Sequence, residues 1–306
     1  MNQDALYCIA NPCAARGKIQ KRIRIVLDFF SHNRVPVQLL WTERPRHGVE
    51  LARRLAASGA KRIASIGGDG TAFEVINGLM QARQNDPGVE TALGILPLGT
   101  GNSFLRDFSI RSWKAAAERI LQNNIQAVDI GRIAVHDPPG EKILYFHNMA
   151  GFGLVAQACR LRHTRYPWMG RYAYHGAFFQ LLFGMKTFDI TLRTNEKEPV
   201  AVQSPLCALC NSQYTGHEMH LSPRSLVCDG KMELLYGESI SARDLFNLFL
   251  SLPSGRHLDH PKVKTQSIQS LDIEIQGLDY FMVDGDIESG SRFHIDVLPR
   301  ALPLFA

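Results

Sequence analysis

Two glycine-rich segments, residues 67–70 and 99–102, carry the residue types best suited to hold a phosphate group. The first follows an apolar run at 63–66 and precedes a helical pattern of apolar residues that begins near Thr71. A buried strand, a glycine turn and a helix start in succession direct backbone N–H groups and a helix dipole at one point. Because glycine has no Cβ atom, a ligand can approach this backbone closely. The spacing therefore predicts a phosphate site.

Asp69 lies inside the first glycine segment, where a carboxylate would repel phosphate oxygens. A cation between the two groups removes this repulsion, and Mg²⁺ commonly binds through one or two carboxylates together with substrate phosphates. Asp69 is therefore predicted to hold Mg²⁺ beside a polyphosphate and to take part in catalysis. A tight turn without a ligand is the alternative for this segment taken alone.

The second segment repeats the arrangement, with an apolar run at 92–96 followed by Pro97 and residues 99–102. Neighbouring parallel strands present such loops together at their carboxyl ends, which is where ligands bind in open α/β sheets. The pair of loops favours a ligand site over a simple turn.

The first 125 residues alternate between short apolar runs and amphipathic helical patterns. The predicted strands are 6–10, 35–41, 63–66 and 92–96. Four helices are predicted: the first begins near Ile19, the second spans 47–58, the third begins near Thr71, and the fourth runs from a cap at Ser112 to about Leu121. This alternation is typical of a doubly wound parallel sheet.

From about residue 126 the sequence becomes rich in strands. We expect a hairpin of strands 127–136 and 143–151, helices at 154–164, 171–182 and 242–250, and strands at 186–194, 200–209, 231–236, 262–268, 271–276, 281–283 and 292–298. The prediction is an α/β N-terminal domain, 1–125, that binds nucleotide, and a mainly β, sandwich-like C-terminal domain, 126–306, with the last few residues able to pack back on the first. The ligand cleft is expected between them.

The composition is that of an ordinary globular protein, with 45% hydrophobic and 21% charged residues in 306. No run of about 18 apolar residues and no secretory signal is seen, which predicts a cytoplasmic protein. The net charge of +5 fits an anionic ligand or lipid surface without requiring nucleic acid. The six cysteines are scattered, as in a protein with reduced thiols, and Cys207 and Cys210 should lie on opposite faces of a strand rather than bind zinc.

Residues 160–172 interleave arginines with Tyr166, Trp168, Met169 and Tyr172. Cationic heads with amphipathic rings suit peripheral contact with an anionic membrane. A solvated helix end with packed aromatic rings is the alternative, and nothing else in the chain supports binding of nucleic acid.

Five motifs occur in order: Asn11-Pro12 with Gly17-Lys18, GGDGT at 67–71, PLGTGN at 97–102, VDIG at 128–131 and VDGD at 283–286. With them the chain resembles the soluble bacterial diacylglycerol/lipid kinases, which are related to sphingosine and ceramide kinases and, distantly, to NAD kinase. The resemblance spans nearly the whole chain. It implies phosphorylation of a lipid hydroxyl that depends on ATP and Mg²⁺.

The resemblance also implies particular residues. The acidic general base falls on Asp286, and a structural Mg²⁺ site falls on Asp229 with the backbone carbonyls of Leu226 and Lys231. Asp129 aligns with an acid near the cleft. Two positions depart from the pattern of many bacterial members, because Asp286 replaces a glutamate and Ser103 replaces an acid. These departures leave the acceptor lipid open.

In the predicted mechanism, three glycines of the first segment cradle the phosphates of ATP, Asp69 holds Mg²⁺, and Lys18 and Arg106 offset the developing charge. The full set of predicted nucleotide-binding residues is Asn11, Lys18, Thr42, Gly67, Gly68, Asp69, Gly70, Thr71, Gly99, Thr100, Gly101, Asn102 and Arg106. The acceptor is a diacylglycerol-like or sphingoid-like lipid. A NAD-kinase-like enzyme and a non-catalytic nucleotide or lipid sensor are the alternatives, and a homodimer is left open.

Overall fold

The protein is described here by a computed structural model of residues 5–14, 19–99, 101–137, 140–194, 198–216 and 219–306, without the side chain of Arg171. Contacts between residues divide the chain into two units. Unit 1 contains the residues up to Val128 together with Arg300–Ala306, and unit 2 contains Asp129–Pro299.

Unit 1 is built on a parallel sheet in the order β2-β1-β3-β4, joined at β4 by the end of the last strand of the chain. Its elements are β1 (Leu6–Ala10), α1 (Ile19–His32), β2 (Val37–Trp41), α2 (His47–Ala57), β3 (Arg62–Gly67), α3 (Asp69–Asn85), β4 (Ala92–Pro97), a 3₁₀ helix (Phe104–Phe108) and α4 (Trp113–Leu121). Helices connect successive parallel strands, which confirms the predicted doubly wound α/β domain.

Burial in unit 1 follows the sequence pattern. All five residues of β1 are buried, whereas α1 is amphipathic and buries Ile19, Ile23, Val26 and Phe30. Helix α3 is buried along most of its length and packs against α2, where a Cβ at Gly78 would lie 2.3 Å from the carbonyl oxygen of Val49. Ser112 caps α4 as predicted, because its Oγ accepts the N–H of Ala115.

Unit 2 contains two largely antiparallel sheets. One has the order β16-β13-β8-β9, with β5 paired to both β16 and β6, and the other has the order β12-β11-β10-β7-β14-β15. The elements are β5 (Ile125–Val135), β6 (Lys142–Phe146), β7 (Met149–Gly153), α5 (Leu154–Thr164), a 3₁₀ helix (Pro167–Tyr172), α6 (Ala173–Leu182), β8 (Phe188–Arg193), β9 (Val200–Ser204), β10 (Leu206–Cys210), β11 (Met232–Gly237), α7 (Ala242–Ser251), 3₁₀ helices (Leu252–Ser254 and Arg256–Asp259), β12 (Val263–Ile268), β13 (Ser270–Gln276), β14 (Tyr280–Val283), β15 (Asp286–Ser289) and β16 (Arg292–Phe305).

Aromatic rings join the two sheets of unit 2. Phe293 of β16 contacts Phe152 of β7 and Phe281 of β14, with ring centroids 5.0 and 4.9 Å apart. All three residues are buried, so they form a core between facing sheets. The predicted sandwich-like β domain is confirmed.

Two predicted strands of unit 2 are each divided in the structure. The run 143–151 is broken at His147 and Asn148, where the chain passes from β6 in one sheet to β7 in the other. The run 200–209 is broken at Pro205, which has no N–H to donate to a strand ladder, and β9 and β10 lie in different sheets. Both runs look continuous in sequence because each half is apolar.

Other bounds also differ from the prediction, and the largest extension is that of β16, which continues to Phe305 beyond the predicted 292–298. The helix predicted at 171–182 begins at Ala173, because Gly170 has a positive φ of 59° and ends the preceding 3₁₀ turn. Helix α3 begins at Asp69, earlier than Thr71. Strand β15 was not predicted, since its sequence DIES carries two acids.

Among the described residues, no helix combines the length and the apolar character that crossing a bilayer would need. The six cysteines are all thiols, and Cys207 and Cys210 are both buried in β10.

Candidate active site

Most of the predicted nucleotide-binding residues of unit 1 lie at the carboxyl edge of its parallel sheet. Asn11 follows β1 and donates its N–H to the carbonyl of Ile66 at 3.4 Å, and Thr42 follows β2 and donates to the carbonyl of Ala10 at 2.9 Å. The two glycine loops follow β3 and β4. In the order β2-β1-β3-β4 the winding reverses between β1 and β3, which is where open α/β sheets bind ligands. Lys18 and Thr100 lie outside the described residues.

The two glycine loops are in direct backbone contact. The N–H groups of Leu98 and Gly99 both donate to the carbonyl of Gly67, at 2.9 and 2.8 Å. A Cβ at Gly99 would lie 2.5 Å from the Cα and N atoms of Gly68, and a Cβ at Gly68 would lie 2.8 Å from the carbonyl oxygen of Gly101. Only glycine permits this approach, so the loops are held side by side by the absence of side chains.

Gly70 differs from the neighbouring glycines, because a Cβ placed on it would meet no atom within 4 Å. The N–H of Asp69 donates to the carbonyl of Gly101 at 3.2 Å, and those of Thr71 and Ala72 donate to the carbonyl of Gly68. Among the described residues, Gly70 is thus the first-turn residue of α3 whose N–H the loops do not use. A phosphate at a helix start requires backbone N–H donors and room for close approach to the backbone.

The carboxylate of Asp69 ties the first loop to the second. Both of its oxygens accept the backbone N–H of Ser103, each at 3.0 Å. Ser103 is buried and contributes its backbone to this contact. A carboxylate offers about four lone-pair positions, so a contact with one N–H does not use its full capacity.

Groups of three or more His, Cys, Asp or Glu side chains that could hold a metal are absent from the part of the chain that the structure describes. Arg106 lies in the 3₁₀ helix that follows the second loop, and Asn102 donates its Nδ2–H to the carbonyl of Gly99 at 3.2 Å.

In unit 2, Asp286 is the first residue of β15, directly after a two-residue hairpin turn formed by Asp284 and Gly285. Both turn residues have positive φ, 48° and 94°, as in a type I′ turn. Val283 pairs with Asp286 across the hairpin. The turn therefore fixes the backbone from which the half-buried Asp286 side chain projects.

Asp284 holds this turn on one side. Its carboxylate accepts the N–H groups of His147, Asn148 and Met149 at 2.8 to 2.9 Å. It also lies 2.6 Å from Nδ1 of His147, and neither side chain is exposed. A buried carboxylate satisfied by several donors is a structural anchor. The two acids of the VDGD motif thus have different environments, and only Asp286 is left at the surface of the turn.

Helix α5 holds the turn on the other side. The carbonyl of Gly285 accepts hydrogen bonds from Sγ of Cys159 at 3.1 Å and from Nε2 of His163 at 2.9 Å. Burial raises the pKa of the Cys159 thiol to about 11, so this thiol stays protonated and can donate. Neither residue was singled out from the sequence.

Asp129 organises the loop that carries the second predicted metal position. It is fully buried, its N–H donates to the carbonyl of Val227 at 2.7 Å, and its Oδ2 accepts the N–H of Gly230 at 2.6 Å. Asp229 is exposed beside Leu226 and Lys231, and its Oδ1 accepts the N–H of Lys231 at 3.0 Å. The two predicted metal-binding carboxylates belong to different units, Asp69 to unit 1 and Asp229 to unit 2.

A buried polar network connects the motifs of unit 2, and the sequence did not reveal it. Asn211 donates through Nδ2 to the carbonyls of Asp129 and His147, at 3.1 and 2.9 Å. Ser212 donates to the side-chain oxygen of Asn148 at 2.9 Å. The available signal was the polar pair His147-Asn148 inside an apolar run, since buried polar residues are expected to have partners.

Unit 2 also contains an apolar cavity of about 170 Å³. Its wall includes residues of α5, α6 and α7, and it reaches Met149 and Met282. The N–H of Met149 is bound by Asp284, and Met282 lies two residues before Asp284. One end of the cavity therefore lies near the hairpin turn that carries Asp286.

The side chains of the basic and aromatic segment 160–172 differ in their environments. Trp168 and Tyr172 are exposed, as membrane contact would require. The guanidinium groups of Arg160 and Arg162 lie over the rings of Tyr280 and Tyr174, each at 5.0 Å, so these two arginines partly pack on the protein itself. The side chain of Arg171 lies outside the described residues.

Comparison with known proteins gives two family matches. Residues 5–133 match the diacylglycerol kinase catalytic domain, and residues 149–306, more than half of the chain, match the YegS C-terminal NAD kinase beta sandwich-like domain.

Individual proteins agree with these matches. The chain is 26% identical to a diacylglycerol kinase of Mycobacterium tuberculosis over 298 residues, 96% of this chain and 92% of the relative. It is 30% identical to the “Probable lipid kinase YegS” of Salmonella gallinarum over 263 residues, 83% and 80% of the two chains. A crystal structure of a diacylglycerol kinase from Bacillus anthracis shares the fold, with a TM-score of 0.70 at 18% identity over 100% and 97% of the chains.

We predict that Gly99→Ala destabilises unit 1 and that Gly70→Ala does not. The new methyl group at position 99 would meet backbone atoms of Gly68, and overpacking of this kind costs about 1–3 kcal/mol. The same methyl group at position 70 meets open space in a helix, where alanine is favoured over glycine by up to about 1 kcal/mol. Urea denaturation of both variants measures the difference. Equal stability of the two variants would contradict the loop contact.

We also predict a contribution to pH-dependent stability from His257, a buried residue in the cavity wall. Its Nε2–H donates to the carbonyl of Leu221 at 2.8 Å, and burial lowers its pKa, so the folded protein holds it neutral. An unfolded histidine gains a proton near pH 6.5. The free energy of unfolding should therefore fall as the pH falls below that value. His257→Gln, which keeps a donor but does not titrate, should show a shallower fall in urea denaturation series, and an identical slope would refute the assignment.

Proposed function

The chain belongs to the family of diacylglycerol kinases and YegS-type lipid kinases, and on that premise we propose that it transfers the γ-phosphate of ATP, with Mg²⁺, to a hydroxyl group of a membrane lipid. The acceptor is a diacylglycerol-like or sphingoid-like lipid. Unit 1 binds the nucleotide and unit 2 binds the lipid. The protein works in the cytoplasm, in peripheral contact with the membrane through residues 160–172.

The observation that carries the nucleotide part is the contact between the two glycine loops at the carboxyl edge of the parallel sheet. Gly67, Gly68, Gly99 and Gly101 shape this edge, and a Cβ placed on Gly70 would meet no atom within 4 Å. Asn11 and Thr42 border the same edge, with Thr71 in the first turn of α3. Backbone donors at a helix start bind phosphate without the need for a lysine at each oxygen.

Charge balance at the phosphates needs cations. Mg²⁺, when bound, supplies neutralisation of the phosphate oxygens during transfer. Asp69 contributes the carboxylate for this ion, while its bonds to Ser103 keep the two loops in register. Lys18 and Arg106 offset the remaining charge, and Thr100 and Asn102 complete the second loop.

Asp286 accepts the proton of the lipid hydroxyl. Its support is structural, because Asp284 and the carbonyl of Gly285 fix from two sides the turn that directly precedes the half-buried Asp286. The side chain of aspartate is one methylene shorter than that of the glutamate in many relatives. The position of the hairpin therefore determines whether the carboxylate of Asp286 can reach the lipid hydroxyl. Asp229, with the carbonyls of Leu226 and Lys231, is proposed as a second, structural Mg²⁺ site.

The apolar cavity of unit 2 is proposed to hold one hydrocarbon chain of the lipid. It is lined almost entirely by apolar side chains, and burial of each methylene contributes about 0.8 kcal/mol. Because the cavity reaches Met149 and Met282, a chain bound there would have its polar end toward the turn that carries Asp286.

The first prediction of this proposal concerns the two acids of the turn. Asp286→Asn should lower kcat by about 10²–10⁴-fold, the usual contribution of a general base, with unchanged stability and little change in the KM for ATP. Asp284→Asn should instead lower the stability, since a buried anchor of three N–H groups is weakened. Steady-state kinetics and thermal denaturation of both variants make the comparison. Near-normal turnover of a folded Asp286→Asn protein would remove Asp286 from this role.

The second prediction concerns the cation and tests the activity as a whole. Incubation with γ-labelled ATP and a total lipid extract should give a labelled lipid product, and EDTA should prevent its formation. Asp69→Asn keeps an oxygen that can accept the N–H of Ser103, so the variant should fold but lose most of this activity. If the variant retained substantial activity at the same Mg²⁺ concentration, the metal role of Asp69 would be excluded. If no lipid of the extract were labelled by the unchanged protein, the kinase proposal itself would fail.

A further inference from the structure

An exposed group of large apolar side chains lies on α6, on the turns at its two ends and on α7. Phe183 is 92% exposed, Trp168 73% and Leu250 62%, and Tyr172 and Phe179 are about half exposed. We refer to these five residues as the α6–α7 surface. Exposed apolar groups of this size usually mark an interaction site rather than a random surface.

Ring contacts join α6 to α7 next to two of these residues, Tyr172 and Phe179. Phe178 of α6 stacks on Phe249 of α7 with centroids 3.9 Å apart, and Phe179 contacts both Phe246 and Phe249 at 6.4 Å. Tyr172 contacts His175, which in turn contacts Phe249. The exposed rings of α6 thus continue onto α7.

The inner sides of the same helices line the apolar cavity. Phe178 and Leu181 of α6 and Leu245, Leu248 and Phe249 of α7 all belong to its wall. Phe249 therefore touches the cavity on one side and the exposed Phe179 on the other. Phe249 thus connects the cavity wall to the α6–α7 surface.

The segment that carries four of these five residues has charges of one sign only. Residues 154–188 contain no Asp or Glu, whereas they contain Arg160, Arg162, Arg165, Arg171 and Lys186. Arg165 and Lys186 are exposed and flank the 3₁₀ helix and α6 on either side in the sequence. Cations beside exposed aromatic and aliphatic side chains are complementary to an anionic bilayer interface.

We propose that the α6–α7 surface inserts into the interface of an anionic lipid bilayer, and that the lipid tail enters the cavity of unit 2 at this surface. The entry of the tail rests on the lipid-kinase function proposed above, whereas the insertion does not. The bilayer is favoured over a protein partner because α6 and α7 also line the apolar cavity and because residues 154–188 contain no acidic residue. The proposal places the main apolar contact at Phe179, Phe183 and Leu250, outside the segment 160–172 that the sequence indicated.

The insertion is tested by sedimentation with vesicles of phosphatidylcholine alone and of phosphatidylcholine mixed with phosphatidylglycerol. Phe183→Ser and Phe179→Ser should each lower the partition coefficient on the mixed vesicles by about tenfold, since each removes most of the apolar area that one ring buries. Arg165→Gln and Lys186→Gln should each lower it by about fivefold on the mixed vesicles and leave binding to phosphatidylcholine unchanged.

Ile25→Ser is the matched control, because Ile25 is a 58% exposed apolar residue on α1 in unit 1. Its partition coefficient should equal that of the unchanged protein. Because all the substituted side chains are exposed, thermal denaturation should show no loss of folding in any variant. Normal vesicle binding by Phe179→Ser and Phe183→Ser would overturn the proposal. It would also be overturned if these variants changed only the oligomeric state in size-exclusion chromatography, which would identify the surface as a protein interface.

The entry of the tail is tested by activity. The two phenylalanine variants should lose activity on a long-chain lipid presented in mixed vesicles, in proportion to the lost binding. They should keep activity on a short-chain analogue dissolved as monomers, since neither residue belongs to the catalytic turn. Equal loss on both substrates would overturn tail entry at this surface. Absence of activity on any lipid by the unchanged protein would reject the kinase function and would leave the vesicle-binding result to decide the insertion.

Discussion

The close approach of two backbone segments, at Gly68 and Gly99, is the constraint on which the site of unit 1 depends. The atoms that meet there are Cα, N and carbonyl groups, and no side chain larger than hydrogen fits between them. Asp69 then fixes the register of the loops through the N–H of Ser103. This arrangement explains why a carboxylate can stand at a phosphate-type helix start. The Asp69 carboxylate joins the two loops, and this contact fixes its orientation.

In unit 2 an acidic side chain, Asp284, likewise fixes a loop of the candidate site. The hairpin turn that carries Asp286 has two residues with positive φ, Asp284 and Gly285, as a type I′ turn requires. Asp284 supplies one attachment by accepting three successive N–H groups, and α5 supplies the other by donating to the carbonyl of Gly285. In each unit an acid is used to fix a loop. In unit 2 the anchoring and the proposed chemistry are divided between two residues, whereas in unit 1 Asp69 carries both.

The features that were predictable from the sequence are local ones. The two strand–glycine–helix units, the cap at Ser112 and the bounds of α5 all depend on residues within one or two turns of each other, so their patterns can be read directly. The missed features depend on distant residues. His147 and Asn148 divide a strand because Asp284, far along the chain, binds their N–H groups, and Asn211 joins Asp129 to His147. Apolar periodicity cannot distinguish one strand from two that enter different sheets, because the residues on both sides of the break are buried either way.

The cavity could not be predicted from the sequence, and its position changes how the apolar composition of α6 is interpreted. As a sequence, AYHGAFFQLL shows weak separation of apolar and polar faces, which would ordinarily indicate a helix buried on all sides. In the structure only Ala173 and Ala177 of this helix are fully buried, while Phe178 lines a cavity and Phe179 is exposed. A helix that is apolar on both sides is costly in water unless something covers its outer side. The same property is suitable for a helix that stands between a bilayer and a hydrocarbon-binding cavity, because both of its surroundings are then apolar. The composition of α6 is therefore better explained by the cavity on one side and the proposed bilayer on the other than by the packing of unit 2 alone.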